Sequence, residues 1–185
     1  MPLTAIDPAA ALIVVDLQKG VASLVTAPVF AEVARHTRRL AEGFRARGLP
    51  VVWVNVAGGA PGRTEHARRI AELPADWTEL AAQLEPQPTD HRVTKRTWGA
   101  FTRTDLAAYL RSLSVTQVVI AGIATSLGVE STARQAHELG FNVTLAIDAI
   151  TDISEEAHHN SLTRIFPRLG ETGTTAQILD LLAGQ

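Results

Sequence analysis

The sequence predicts an α/β fold in which helices cover both faces of a mostly parallel sheet. Two observations lead to this prediction. Short, continuous apolar runs, typical of strands buried on both faces, alternate along the chain with longer segments of helical apolar spacing. The links between them are short, as in successive strand–helix–strand units. No repeat or low-complexity segment divides the chain, so we predict one domain spanning residues 1–185.

Polar residues stand at the ends of two predicted strands. The strand segments are residues 11–17, 49–56, 91–95, 116–123 and 142–148. The first run, ALIVVDL, is apolar until Asp16, and the third, HRVTK, ends in Lys95. Ligands of such folds bind at the carboxyl ends of the strands. We therefore expect a functional site formed by Asp16, Lys95 and the turn at residues 123–128.

Segments with helical spacing of apolar residues lie between the predicted strands. Helices are predicted at residues 28–48, 102–113, 128–140, 154–166 and 174–184, with a short helix or turn at 76–84. Residues 57–69 are rich in glycine and arginine without periodicity, which predicts a long mobile loop over a site.

Gly128 falls in the first turn of its predicted helix, where glycine costs about 1 kcal/mol relative to alanine. This position needs an explanation other than helix stability.

Composition excludes several classes of function. The chain has no cysteine, so disulfides, thiolate nucleophiles and cysteine-ligated metals are excluded. A net charge of −2 argues against a general nucleic-acid or anionic-membrane binder. No apolar run approaches the roughly 20 residues that span a bilayer. The N-terminus, MPLTAIDPAA, lacks a basic segment, so we expect a cytoplasmic protein.

Asp16 and Lys95 each have a chemical and a structural interpretation. Burial would raise the pKa of Asp16 and make it a general acid or base, whereas the alternative is a capping or lysine-paired aspartate. Lys95 could hold a carboxylate ionised or orient a substrate anion, or be an ordinary surface lysine.

Other chemistries have little support in the sequence. No histidine pair has metal-ligand spacing, and the adjacent His158 and His159 are predicted to be solvated. Ser126 and Ser131 lack a nucleophile-elbow motif, and no nucleotide-binding motif is present. We therefore expect no metal and no cofactor. The tryptophans are predicted to lie in the core or in a pocket wall: Trp53, Trp77 and Trp98.

Three segments together resemble the isochorismatase-like hydrolases, which include nicotinamidases and N-carbamoylsarcosine amidases. These segments are IVVDLQKG, VTKRTWGAF and VVIAGIATSLGVESTARQAHELGFNVTLAIDAITD, and the similarity covers nearly the whole chain. The resemblance implies a three-layer α/β/α sandwich with a six-stranded sheet, and a homodimer or homotetramer. It also implies a cis peptide between Ile123 and Ala124. That bond would aim the N–H groups of Ala124 and Gly128 into an oxyanion hole.

The chain departs from the amidase branches at the nucleophile. Their Asp–Lys–Cys triad corresponds to Asp16, Lys95 and Gly128, so the thiol is absent and thioester chemistry is excluded. True isochorismatases also have glycine at this position and hydrolyse a vinyl ether without a covalent intermediate. Their lysine segment is similar, including Arg103. True isochorismatases differ from this chain in having a tyrosine at the position of Ala124 and a histidine near the position of Ser126.

The resulting hypothesis is a cofactor-free hydrolase of a small molecule. Asp16 would be the general acid or base and Lys95 its electrostatic partner. The residues expected to line the substrate pocket are Gln18, Trp98, Phe101, Ile123 and Ser126. Two alternatives remain open: a binding or regulatory protein on a retired hydrolase scaffold, and a site whose cysteine has been replaced by Gly128.

Overall fold

A computed structural model describes residues 3–65 and 73–184, which form a three-layer α/β/α sandwich. The described residues contain a six-stranded, all-parallel sheet with the order β3-β2-β1-β4-β5-β6. Its strands are β1 (Ala10–Val15), β2 (Val51–Val56), β3 (His91–Lys95), β4 (Gln117–Ile123), β5 (Asn142–Thr151) and β6 (Glu171–Gly173). The predicted fold class is confirmed.

The helices lie on both faces of this sheet. They are α1 (Lys19–Ala22), α2 (Ala27–Ala46), α3 (Leu106–Ser112), α4 (Glu130–Glu138), α5 (Glu155–Asn160), α6 (Phe166–Leu169) and α7 (Thr175–Ala183). Among the described residues, none of the helices is both long and apolar enough to cross a membrane.

Successive side chains of β1 point to opposite faces of the sheet and contribute to two hydrophobic cores, one on each face. Leu12 and Val14 of β1 pack with α2 and α7, whereas Ile13 and Val15 pack with α3 and α4 on the opposite face. Every residue of β1 and of β4 is buried, as expected for strands covered on both sides. This double burial is why these strands read as unbroken apolar runs.

Some predicted boundaries were wrong. β6 was not detected from its own residues because three residues are too few for an alternation pattern. Residues 76–84 form turns and a short 3-10 helix (Ala82–Leu84), and α3 is shorter than the predicted helix. In the segment predicted as a long loop, residues 57–65 are irregular, and residues 66–69 lie outside the described residues.

The strand order sets the position of the site. The chain passes from β1 outward through β2 to β3, then returns to pair β4 on the other side of β1. The adjacent carboxyl ends of β1 and β4 therefore form the point at which the order reverses. Open parallel sheets bind ligands in the crevice at this point.

Candidate active site

An aspartate and a lysine form a buried ion pair at the carboxyl end of the sheet. Asp16 follows β1 directly, and Lys95 is the last residue of β3, on the far side of β2. The Lys95 ammonium donates hydrogen bonds to Asp16 Oδ2 at 2.7 Å and to the Thr97 carbonyl at 3.2 Å. Only 6% of Asp16 and 1% of Lys95 is exposed. The structure thus joins two residues that the sequence analysis singled out separately.

The backbone at Asp16 turns out of the strand in the left-handed region. Its φ is 55°, a conformation that aspartate tolerates better than most residues. Its N–H still donates to the Val54 carbonyl at 2.8 Å, so the residue remains tied to β2. The side chain is therefore anchored at the floor of the crevice.

The environment of Asp16 brings its pKa closer to neutrality than that of an exposed aspartate. Burial raises the pKa of Asp16 from 3.8 to about 6, although the neighbouring Lys95 charge and hydrogen bond lower it. Asp16 Oδ1 receives no hydrogen bond from the residues that the structure describes, although it is buried. A buried carboxyl with one unpartnered oxygen and a pKa near neutrality can exchange a proton with a bound molecule.

The turn after β4 lies opposite this carboxyl. The Ile123–Ala124 peptide bond is cis, and residues Thr125–Val129 form a π-helical turn. The Ala124 carbonyl accepts hydrogen bonds from the N–H groups of Leu127 and Val129, both at 3.1 Å. The turn, rather than a regular α-helix beginning at Gly128, carries the chain from β4 into α4.

A side chain at position 128 would face Asp16. A Cβ atom built at this position would lie 3.1 Å from Asp16 Oδ2 and 3.0 Å from Val15 Cγ1. Any larger side chain at position 128 would therefore press against the carboxylate and against Val15. This geometry explains why a residue unfavourable to helices occupies the turn.

A cavity of about 450 Å³ opens above the pair. Asp16, Lys95, Ala124 and Gly128 contribute to its lining. Its apolar lining residues include Leu24, Trp77, Trp98, Ile123, Leu127 and Ile153. The volume is within the range of about 300–1,000 Å³ that is usual for small-molecule sites.

Trp77 is held in place as a wall of the cavity. Its indole N–H donates to the Val56 carbonyl at 3.0 Å, and its ring covers Gly20, where any Cβ would collide with the ring. From the sequence, Trp77 was expected either in the core or in a pocket wall. The contributions of Leu24, Leu127 and Ile153 to the cavity were not predicted, because an apolar residue has no local signal that distinguishes a cavity from a core.

The structure brings two of the five predicted pocket residues to the cavity. Ile123 lines it, and Trp98 lies at its mouth with 60% of its surface exposed. Gln18 is instead fully buried beside it. Its amide accepts from the Val56 N–H at 2.7 Å and donates to the carbonyls of Val56 and Trp77 at 3.0 and 2.8 Å. Gln18 therefore braces the wall rather than lining it.

Phe101 lies away from the cavity. Its ring stacks on Phe141 with 6.0 Å between centroids, and its N–H donates to Gln135 Oε1 at 3.0 Å. Ser126 is also absent from the cavity lining, and its N–H donates to Asp152 Oδ2 at 2.6 Å. The structure therefore places neither Phe101 nor Ser126 in the cavity lining: Phe101 lies against Phe141 and Gln135, and the Ser126 backbone is bonded to Asp152.

The prediction that His158 is solvated was wrong. His158 is half-buried, and its Nδ1 lies 2.8 Å from the hydroxyl of Thr125, a fully buried residue of the π-helical turn. Burial lowers the pKa of His158. The adjacent His159 is exposed. The described residues contain no group of three or more histidines, aspartates or glutamates that could hold a metal ion.

Comparison with known proteins identifies the family. The model of the Isochorismatase domain matches residues 10–177 of the chain. The chain belongs to the isochorismatase family. This match includes the ion pair, the cis peptide and the turn containing Gly128.

Similar members of the isochorismatase family cover the same length. The isochorismatase family proteins YwoC of Bacillus subtilis and YecD of Escherichia coli O157:H7 are 40% and 39% identical to this chain. The alignments cover 92% of this chain and 92% of YwoC, and 93% of this chain and 95% of YecD. An isochorismatase family structure from Burkholderia thailandensis is 40% identical with a TM-score of 0.92, covering 97% of this chain and 98% of that one. The protein is thus an isochorismatase-like hydrolase whose own sequence contains no cysteine.

Proposed function

We propose that this protein hydrolyses the vinyl ether of a small molecule without a covalent intermediate, with Asp16 as the general acid. The observation that carries the proposal is the buried Asp16 carboxyl, which faces the space that Gly128 leaves beside it. Because no thiol is present, a thioester intermediate is excluded, and the proposed route uses proton transfer and water.

The proposed reaction begins with proton transfer to carbon. Protonated Asp16 donates its proton to the terminal carbon of the vinyl ether, which converts the C=C–O unit into an oxocarbenium ion. The resulting Asp16 carboxylate is stabilised by Lys95 at 2.7 Å and balances the positive charge of this intermediate.

Water then completes the hydrolysis. A water molecule adds to the oxocarbenium carbon, and its proton passes to the Asp16 carboxylate. The hemiketal or hemiacetal then breaks its C–O bond as its hydroxyl proton passes to the leaving oxygen, which gives a ketone or aldehyde and an alcohol. One water is consumed and the acid is restored. The N–H groups of Ala124 and Gly128 are proposed to bind the oxygen that carries negative charge during this bond cleavage.

A substrate panel with two aspartate variants tests the proposal. Isochorismate and simple vinyl ethers are assayed at pH 6 with the native protein, Asp16→Asn and Asp180→Asn. Asp180 is exposed on α7 and controls for loss of an aspartate elsewhere. We expect Asp16→Asn to lower kcat/KM by about 100-fold or more, as for loss of a general acid, and Asp180→Asn to leave it unchanged. Full activity of Asp16→Asn would exclude this mechanism.

A second candidate is a small-molecule binding or regulatory protein on a retired hydrolase scaffold. The absence of cysteine in a family that includes cysteine hydrolases favours it. The same panel, extended to amides and carbamoyl compounds, separates the two candidates. Tight binding of one compound without turnover of any favours the binding protein. Turnover that requires Asp16 or Lys95 excludes it.

A further inference from the structure

The wall of the cavity is apolar up to its mouth. Leu24, Trp98 and Ile153 all line the cavity, and 42%, 60% and 56% of their surfaces are exposed. Large apolar side chains that face water around a concave site usually mark a surface that a ligand covers. The three residues come from different parts of the chain, so the exposure belongs to the assembled mouth rather than to one loop.

Charge inside the described part of the cavity is already balanced. Asp16 and Lys95 are the charged residues that line it among residues 3–65 and 73–184, and they pair with each other. Asp152, next to Ile153, accepts hydrogen bonds from the N–H groups of Ser126, Ile153 and Ser154. Its negative charge therefore lies close to the mouth.

Of two cations near the mouth, one is paired with carboxylates and the other is bonded to a neutral backbone carbonyl. Lys19, beside Gly20, contacts the carboxylates of Asp76 and Glu79. Arg96 donates from Nη1 to the Ala57 carbonyl at 3.1 Å, next to Gly58 of the cavity lining. A substrate carboxylate in the cavity would have to compete for one of these groups, and the desolvation of an unpaired carboxylate opposes binding.

We propose that this site selects substrates with an uncharged, apolar body and discriminates against dicarboxylates such as isochorismate. This inference rests on the proposed function and defines its substrate class. An apolar ring packs between Trp77 and Trp98, and the vinyl ether oxygen and carbon form the polar end that reaches Asp16. The selectivity arises because the wall offers contact area to the ring, whereas Lys95 and Lys19 already face carboxylates and Arg96 lies outside the cavity lining.

Matched analogues measure this selectivity without requiring turnover. Ethoxybenzene and 4-ethoxybenzoate share a ring and an ether but differ by one carboxylate, and neither has a vinyl group to hydrolyse. Binding is measured by calorimetry and by quenching of tryptophan fluorescence. We expect the neutral analogue to bind at least about tenfold more tightly. Tighter binding of the benzoate, or no binding of either compound, would overturn the inference.

Three variants assign the selectivity to the mouth. Leu24→Lys adds a cation there and is expected to improve the relative binding of the benzoate by about threefold to fivefold, as for a partly exposed ion pair. Leu24→Gln controls for lost apolar area without added charge and should not favour the benzoate. Arg96→Gln should leave the ratio unchanged. If Arg96→Gln selectively weakens benzoate binding, Arg96 is an acid-binding group and the inference fails.

The remaining outcomes separate this inference from the proposed function. The reactive pair, phenyl vinyl ether and 4-(vinyloxy)benzoate, is assayed in parallel. Preferential binding of ethoxybenzene without turnover of phenyl vinyl ether refutes the reaction but supports the substrate class. Faster turnover of the benzoate supports the reaction and overturns the proposed substrate class.

Sedimentation velocity tests whether a second copy of the chain covers the mouth. A change in subunit number in Leu24→Lys, with an unchanged binding ratio, would overturn the inference.

Discussion

The ammonium of Lys95 lies 2.7 Å from Oδ2 of Asp16, although 79 positions separate the two residues in the chain. They approach because β2 is the strand between β1 and β3, and both strands end at the same edge of the sheet. Nearly all of both side chains is removed from water. Changes to either residue are therefore expected to affect both the stability of the fold and the pKa of Asp16.

The first prediction concerns the cost of breaking this pair. Lys95→Met leaves the Asp16 carboxyl buried without its partner and is expected to lower the free energy of unfolding by about 3–5 kcal/mol. The double variant Lys95→Met with Asp16→Leu removes both charges and should lose less than the sum of the two single changes. Urea denaturation of the four proteins measures the coupling. Additive losses would show that the pair contributes no coupling energy.

The second prediction concerns the pH dependence of turnover. Burial raises the pKa of Asp16 to about 6, so the protonated acid predominates below that pH and the carboxylate above it. We expect kcat/KM for a vinyl ether to fall as pH rises through about 6, approaching about tenfold per pH unit at higher pH. A rate that is constant between pH 5 and 8 would contradict general acid catalysis by Asp16.

The third prediction concerns the space beside the carboxylate. Gly128→Ala places a methyl group 3.1 Å from Asp16 Oδ2, where substrate or water is expected to bind. Turnover should fall by about tenfold or more, as when a reacting group is displaced by about an ångström. The melting temperature should change little, because the gain in helix propensity of about 1 kcal/mol offsets the tight contacts. Gly184→Ala, at the end of α7, is the matched control.

The fourth prediction concerns a thiol introduced at position 128. Gly128→Cys contains a single cysteine and places it beside Asp16 and Lys95, so one equivalent of iodoacetamide should label the folded protein. In the Gly128→Cys background, Lys95→Met should slow the labelling, because a nearby ammonium favours the thiolate. Labelling rates at pH 7 measure both effects. An accelerated thiol with new amidase activity would identify a latent cysteine-hydrolase site, and an inert thiol would contradict the assignment of the pocket.

The fifth prediction concerns the hydrogen bonds that hold the π-helical turn. Asp152 accepts three backbone N–H groups, including that of Ser126 in the π-helical turn. Asp152→Ala should lower the free energy of unfolding by about 1–3 kcal/mol, because these donors lose their partner. Asp152→Asn keeps one carbonyl oxygen and should lose less. Thermal denaturation gives the order, and equal losses would show that the carbonyl oxygen does not replace the carboxylate.

The sequence brought out those residues of the cavity that have a local signal. Asp16 interrupts an apolar run, Lys95 ends a short strand, and Gly128 stands where a helix disfavours glycine. The apolar wall has no such signal. The places of Gln18 and Phe101 outside the cavity lining could not be predicted, because their hydrogen bonds and ring contacts involve residues far away in the chain.

The layered fold could be predicted from the chain alone, because the periods of apolar residues specify strands and helices locally. Thiol chemistry was excluded in the same way, because the chain contains no cysteine. The folded structure was needed to show that Lys95 contacts Asp16, that a side chain at position 128 would press against Asp16, and that His158 contacts the turn. These contacts depend on the strand order and on the distances between remote segments, and the local spacing of residues predicts neither.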